Sequence, residues 1–134
     1  MVRLEIVTPE AKTFSDNVDS VVIPGVEGEI GVLPMHAPLM TLLEPGELRV
    51  MKNGEETRLA VGEGFVEVTQ EKIAVLTDMA VKESDIDESA AEAAIKRAEE
   101  AMRGERLSDE EQATTKAALM RSLALIKVKR RRQV

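Results

Sequence analysis

The sequence predicts an α+β protein. An N-terminal antiparallel β-sandwich of about ten strands fills residues 1–83, and a C-terminal two-helix hairpin fills residues 84–134. Two observations predict this. The apolar period changes once, from two to the helical 3.6, near residue 84. The charge changes at the same place. Residues 1–83 hold seven Lys and Arg against fifteen Asp and Glu, a net charge of −8, whereas residues 84–134 hold eleven against ten, a net charge of +1.

In VRLEIV, Val2, Leu4 and Ile6 face one way and Arg3 and Glu5 the other. The same alternation runs through VDSVVI (18–23), ELRVM (47–51), TRLAV (57–61), FVEVT (65–69) and KIAVL (72–76). Turn residues separate these runs: Pro9, Pro24-Gly25, Glu44-Pro45-Gly46, Asn53-Gly54 and Gly62-Glu63-Gly64. Asn-Gly between two alternating runs is a strong hairpin signal.

In the first helix Ala91, Ala94, Ile95, Ala98 and Met102 recur on one face. Asp87 is placed to cap it and Gly104 to end it. Ser108 and Glu111 have the spacing of a capping box. No breaker follows, so the second helix runs from Asp109 towards the C-terminus, with Leu119, Leu123 and Ile126 as one stripe and Met120 and Ala124 beside it. Alanine buries little area at about 25 cal/mol per Å², so the seam between the helices is thin. This hairpin is the part of the chain expected to move.

Composition removes several chemistries. There is no cysteine, so disulfides, thiolate metal sites and cysteine nucleophiles are excluded. Phe14 and Phe65 are the only aromatics, too few for a base-stacking nucleic-acid platform. The N-terminus lacks a signal-peptide pattern and no apolar run spans a membrane, which predicts a cytosolic or peripheral protein. GVEGEIGVLPMHAPLM (25–40) is not a nucleotide loop, because strand-like residues and a proline follow its glycines where a helix should open. His36 is the only histidine, so no metal set and no triad can form around it. The carboxylates are scattered on solvent-side positions. No catalytic and no metal-binding residues are expected, and a non-enzymatic binding or assembly module remains. From Lys116 onward every charge is positive: Lys116, Arg121, Lys127, Lys129, Arg130, Arg131 and Arg132. Such an end suits an acidic partner; the plainer alternative is a solvated helix terminus whose cations match the dipole.

LEIVTPE (4–10), FSDNVDSVVIPGVEGEIGVLPMHAPLMTLLEPGELRV (14–50), GFVEVTQEKIAVLTDMA (64–80) and DIDESAAEAAIKRAEEAM (85–102) together resemble the epsilon subunit of bacterial F-type ATP synthase. The resemblance implies a non-catalytic rotor component on the cytoplasmic face of the bacterial inner membrane, attached peripherally through its partners. Those partners are the gamma subunit, the ring of c subunits and, through the second helix, the beta subunit; no nucleic acid is among them. It implies that Glu29 and His36 face the ring, and that the basic second helix inhibits ATP hydrolysis by meeting acidic residues of beta.

Some family members bind ATP through Ile/Leu-Asp-x-x-Arg-Ala. Here Ile86 and Asp87 match, Ala90 replaces the arginine, and Arg97 is retained further on. Losing a guanidinium removes a charge-assisted contact of about 1.5–3 kcal/mol. The expectation is therefore no cofactor, with ATP at most a weak regulatory ligand near Asp87 and Arg97. The alternative reading is an ATP-sensing regulatory domain; a basic-tailed adaptor for nucleic acid is a third.

Overall fold

The computed structural model describes residues 1–10, 12–104 and 107–131. Ten strands come first: β1 (Val2–Val7), β2 (Lys12–Val18), β3 (Ser20–Gly25), β4 (Gly28–Val32), β5 (Leu39–Leu43), β6 (Gly46–Lys52), β7 (Glu55–Val61), β8 (Gly64–Val68), β9 (Lys72–Thr77) and β10 (Ala80–Lys82). A 3-10 turn (Glu83–Asp85) leads into α1 (Glu88–Gly104) and α2 (Asp109–Arg131). The strands form one continuous path, β10-β7-β6-β3-β5-β8-β9-β1-β2, with β4 paired to β3. All pairs are antiparallel except β1 with β9.

Leu4, Ile6, Ile23, Leu48, Leu59, Val66 and Ile73 belong to a single buried cluster. They come from strands near both ends of the path, so the sheet folds over and its two halves face each other. This is the sandwich expected from the alternation. The Asn53-Gly54 turn joins β6 to β7 with both residues at positive φ, 52° and 80°, as a type I′ hairpin requires.

Alternation fails in β7, and the failure is informative. Leu59, Ala60 and Val61 are all buried. Leu59 and Val61 face the sandwich core. Ala60 faces the other way and lies beneath the hairpin, in a second cluster with Ile86 and Val128, against which Met79, Val81 and Leu125 pack. Both faces of β7 are covered here, so the strand reads as continuously apolar.

The helix N-termini follow the sequence signals, whereas Gly104, expected just past α1 as its stop, is the last residue of the helix and has no positive φ. The Ala90 N–H donates to Asp87 Oδ1 at 3.1 Å. The Glu111 N–H donates to Ser108 Oγ at 3.1 Å, and the Ser108 N–H donates back to Glu111 Oε1 at 3.2 Å, completing the capping box. The stripe on α2 differs from expectation. Leu123 is 43% exposed, while Ser122, Ala124, Ile126 and Val128 are buried. The reason is that α2 packs on two surfaces, α1 and the β6–β7 sheet, so its buried strip is wider than one stripe and displaced from Leu123.

The large core cluster draws every member from the strands, and the hairpin supplies none. A chain ending at Glu83 is therefore expected to keep a cooperative thermal transition. Circular dichroism checks this. A fragment that melts without cooperativity would show that the hairpin completes the core.

Candidate functional site

Two surfaces carry the residues singled out in the sequence. The first is the end of the sandwich built by the β3–β4 turn and the β4–β5 loop. Glu29 lies on β4 and accepts from Arg49 Nη1 at 3.2 Å, with its side chain 58% exposed. Arg49 also reaches Glu47 at 3.1 Å and Glu56 at 3.6 Å. Burial opposes the charge on Arg49, but the hydrogen bond to Glu47 and the charge of Glu29 outweigh it, so its pKa lies above the ordinary value. Glu29 is thus held in place by a cation that Glu47 holds in turn.

His36 sits in the β4–β5 loop, half-buried, with its N–H donating to the Leu33 carbonyl at 3.2 Å. Its Nδ1 lies 2.7 Å from the Ala37 carbonyl. A carbonyl only accepts, so Nδ1 is the donor in this contact. Among the described residues no hydrogen bond or ion pair joins Glu29 to His36. Around them Leu33, Met35, Met40 and Val26 are exposed, and Met35 adopts φ 67°, a left-handed conformation unusual for a long side chain.

A row of apolar side chains continues from this end. Leu42, Phe65 and Leu76 stand in register across β5, β8 and β9 and are 61%, 36% and 42% exposed. The reading of the sequence missed this row. The signal was present: parity with Glu67 turns Phe65 outward while Val66 and Val68 go to the core.

The second surface is α2, which lies folded against the sandwich. Arg121 Nη1 meets Asp78 Oδ2 at 3.1 Å. Arg130 pairs with Glu88 at 2.8 Å and with Glu92. The hydrogen bond that Arg130 donates to Glu88, with Glu92 behind it, raises the Arg130 pKa above its ordinary value. Lys129 Nζ reaches the Glu83 carbonyl at 3.4 Å. Lys127 lines a cleft with Glu29, Glu44 and Glu47, and Lys116 lines another with Glu44 and Glu63. The cations of the basic end therefore stand among carboxylates of the same chain. Only the backbone of Arg131 is described, and Arg132 lies outside the described residues.

The residues read as a nucleotide site do not converge. Asp87 is engaged as the α1 cap, and Arg97 lies ten residues along, about 15 Å at 1.5 Å per residue. Both are exposed. Among the described residues no group of three or more His, Asp or Glu could hold a metal ion, and no helix is long and apolar enough to cross a membrane.

Comparison with known proteins agrees with this architecture. Residues 1–83 match the family model of the ATP synthase delta/epsilon chain β-sandwich domain, and residues 84–130 match that of its long α-helix domain. The chain is 44% identical over 135 residues to the ATP synthase epsilon chain of Herpetosiphon aurantiacus, covering 98% of both chains. It is 44% identical over 131 residues to that of Dehalococcoides mccartyi, covering 98% of this chain and 94% of the relative. Among solved structures, a chain of the Euglena gracilis mitochondrial ATP synthase (OSCP/F1/c-ring) shares the fold with a TM-score of 0.76 at 23% identity, covering 92% of this chain and 78% of its own. A chain of the Tetrahymena thermophila mitochondrial ATP synthase central stalk and c-ring does so with a TM-score of 0.62 at 12% identity, covering 96% of each. Sandwich, hairpin and full-length relatives together place this chain in the ATP synthase delta/epsilon family as an epsilon chain, a non-catalytic subunit of that complex.

Proposed function

We propose that the chain is a rotor-coupling subunit of the synthase, joining the gamma subunit to the ring of c subunits on the cytoplasmic face of the membrane. One observation supports the coupling role above the others: the row of Leu42, Phe65 and Leu76 is an exposed apolar strip on a strongly acidic sandwich. Such a strip, continuous with exposed side chains at one end, suits a protein partner. Gamma takes the row; Glu29, His36 and the exposed loop side chains meet the polar loops of the ring. A tagged chain co-purified with gamma tests this. Phe65→Glu, at an exposed position, is expected to abolish co-purification and leave the thermal transition intact. Retained co-purification would move the gamma contact elsewhere.

The regulatory part of the reading rests on α2. Its cations meet acidic residues of the beta subunit and oppose rotation in the hydrolysis direction. The folded hairpin is then the form in which the chain's own carboxylates occupy those cations. ATP binds weakly, because Ala90 supplies no guanidinium and Arg130 is already tied to Glu88 and Glu92. Calorimetry on the isolated chain is expected to show no tight binding. Ala90→Arg should tighten binding by about tenfold or more, the equivalent of one charge-assisted contact. Micromolar binding by the unmodified chain would restore the ATP-sensor alternative.

A further inference from the structure

α2 docks on the sandwich along only part of its length. From Ala124 to Val128 it presses Leu125 and Val128 onto Ala60, Ile86, Met79 and Val81. Before Arg121 it does not. There Ala113, Lys116, Ala117 and Met120 form one wall of an open cleft of about 630 Å³, whose other wall includes Val26, Leu42 and Glu63. The helix therefore meets the sheet as a wedge, closed at its C-terminal end and open at its N-terminal end. Arg121 stands where the wedge begins to open.

The partner of Arg121 is held by an ordered structure. Asp78 lies in the turn after β9, and its N–H donates to the Glu63 carbonyl at 3.0 Å. The neighbouring Thr77 is buried; its hydroxyl donates to the Glu63 carbonyl at 3.0 Å and accepts from the Gly62 N–H at 3.2 Å. The Gly62 N–H also reaches the Met79 carbonyl at 3.0 Å. The 62–64 and 77–79 turns are thus knitted together, and the Asp78 carboxylate lies directly over Gly62. A Cβ at residue 62 would stand 1.8 Å from Asp78 Oδ1 and 3.4 Å from Arg121 Cγ. Glycine is what lets the carboxylate lie there and meet the guanidinium.

From this geometry we infer that Gly62, Asp78 and Arg121 form a latch that governs release of α2 from the sandwich. A helix peeling off a wedge leaves from the open end. The first contact it must break is the Arg121–Asp78 pair, and the small patch around Val128 follows. Each member of the pair is about one-third exposed, 35% and 36%, so water can replace the contact readily. The latch is consequently easy to open and shields little apolar surface, which suits a reversible device. The inference concerns the isolated chain and does not depend on the partners proposed above.

The chain has no cysteine, so one introduced thiol reports one place. Ala60→Cys puts it beneath α2, and its labelling rate by a soluble thiol reagent measures the released fraction. Val66→Cys, in the sandwich core, measures opening of the whole fold. Asp78→Asn and Arg121→Gln are each expected to speed labelling at residue 60 by about two- to fivefold, the range for an exposed pair, and to leave residue 66 unchanged. The two together should be no faster than either alone, since both remove one interaction. Gly62→Ala, which removes no charge, should act as Asp78→Asn does and add nothing to it. Unchanged labelling at residue 60, multiplying effects in the double variant, or equal acceleration at residue 66 would each overturn the latch.

Discussion

Gly64→Ala will cost about 3 kcal/mol of stability, at the upper end for overpacking a well-filled site. Gly64 pairs with Thr77 across β8 and β9 and with Leu43 across β5. A Cβ there would lie 1.8 Å from the Leu76 carbonyl oxygen and 2.8 Å from Thr77 Cα, which are backbone atoms of a paired strand. No side chain can swing aside, so the β8–β9 ladder must part at its end. Thr77, whose hydroxyl ties the two turns together, moves with it. Gly62→Ala, two residues away, makes a contact as short but with the tip of Asp78, which can rotate. Denaturant titration should therefore show a large loss for Gly64→Ala and a small one for Gly62→Ala. Equal losses would mean that close backbone approach does not set the cost at these turns.

Removing the cations of α2 will raise ATP hydrolysis by the reconstituted complex about fivefold or more, as Arg121, Lys127, Lys129 and Arg130 together are replaced by alanine. Each surface pair contributes only about 0.2–1 kcal/mol, but four in one interface sum to about 0.8–4 kcal/mol, a range that spans the roughly 1 kcal/mol that such a change needs. The folded structure adds a test of sign. Arg121 and Arg130 serve the folded hairpin as well, through Asp78, Glu88 and Glu92. Removing those carboxylates frees the helix with its cations intact. Asp78→Asn together with Glu88→Gln and Glu92→Gln should therefore lower hydrolysis, the opposite of the cation variant. Salt should shrink both effects, since exposed charges are screened within about 10 Å at 0.1 M. Unchanged hydrolysis in the four-cation variant, with assembly intact, would leave the basic run as a solvated helix end.

β1, β3, β6, β8 and β9 were legible because one face of each is dry. Val2, Leu4 and Ile6 announce the core by parity alone, and Asn53-Gly54 announces its turn by the positive φ it permits. The caps at Asp87 and Ser108 were legible because their partners lie three residues away. What could not be read depends on distant residues. Ala60 looks like an outward position until α2, arriving some sixty residues later, covers it. Leu123 looks like core because a lone helix has one inner stripe, whereas α2 has two neighbours and buries Ser122 and Ala124 instead. For the same reason the basic end showed only its own sign. Its partners Asp78, Glu88 and Glu92 are scattered through the sequence and meet it only in three dimensions.

The one parallel pair, β1 with β9, has a consequence for how the chain is made. Arg3 to Val7 align with Lys72 to Leu76, and the Arg3 N–H donates to the Glu71 carbonyl at 3.1 Å. Synthesis delivers the N-terminus first, yet β1 cannot complete its place in the sheet until nearly seventy further residues have emerged. Until then β2 alone flanks it in the sheet, although β3, β6 and β7 of the facing layer have already emerged. Closure over so long a separation is slow relative to hairpin formation, and until it happens one edge of an apolar strand stays open in the nascent chain. The hairpin is made last and lands on a sheet whose edges have already been settled, so α2 is free to come and go without reopening the closure that took longest to form.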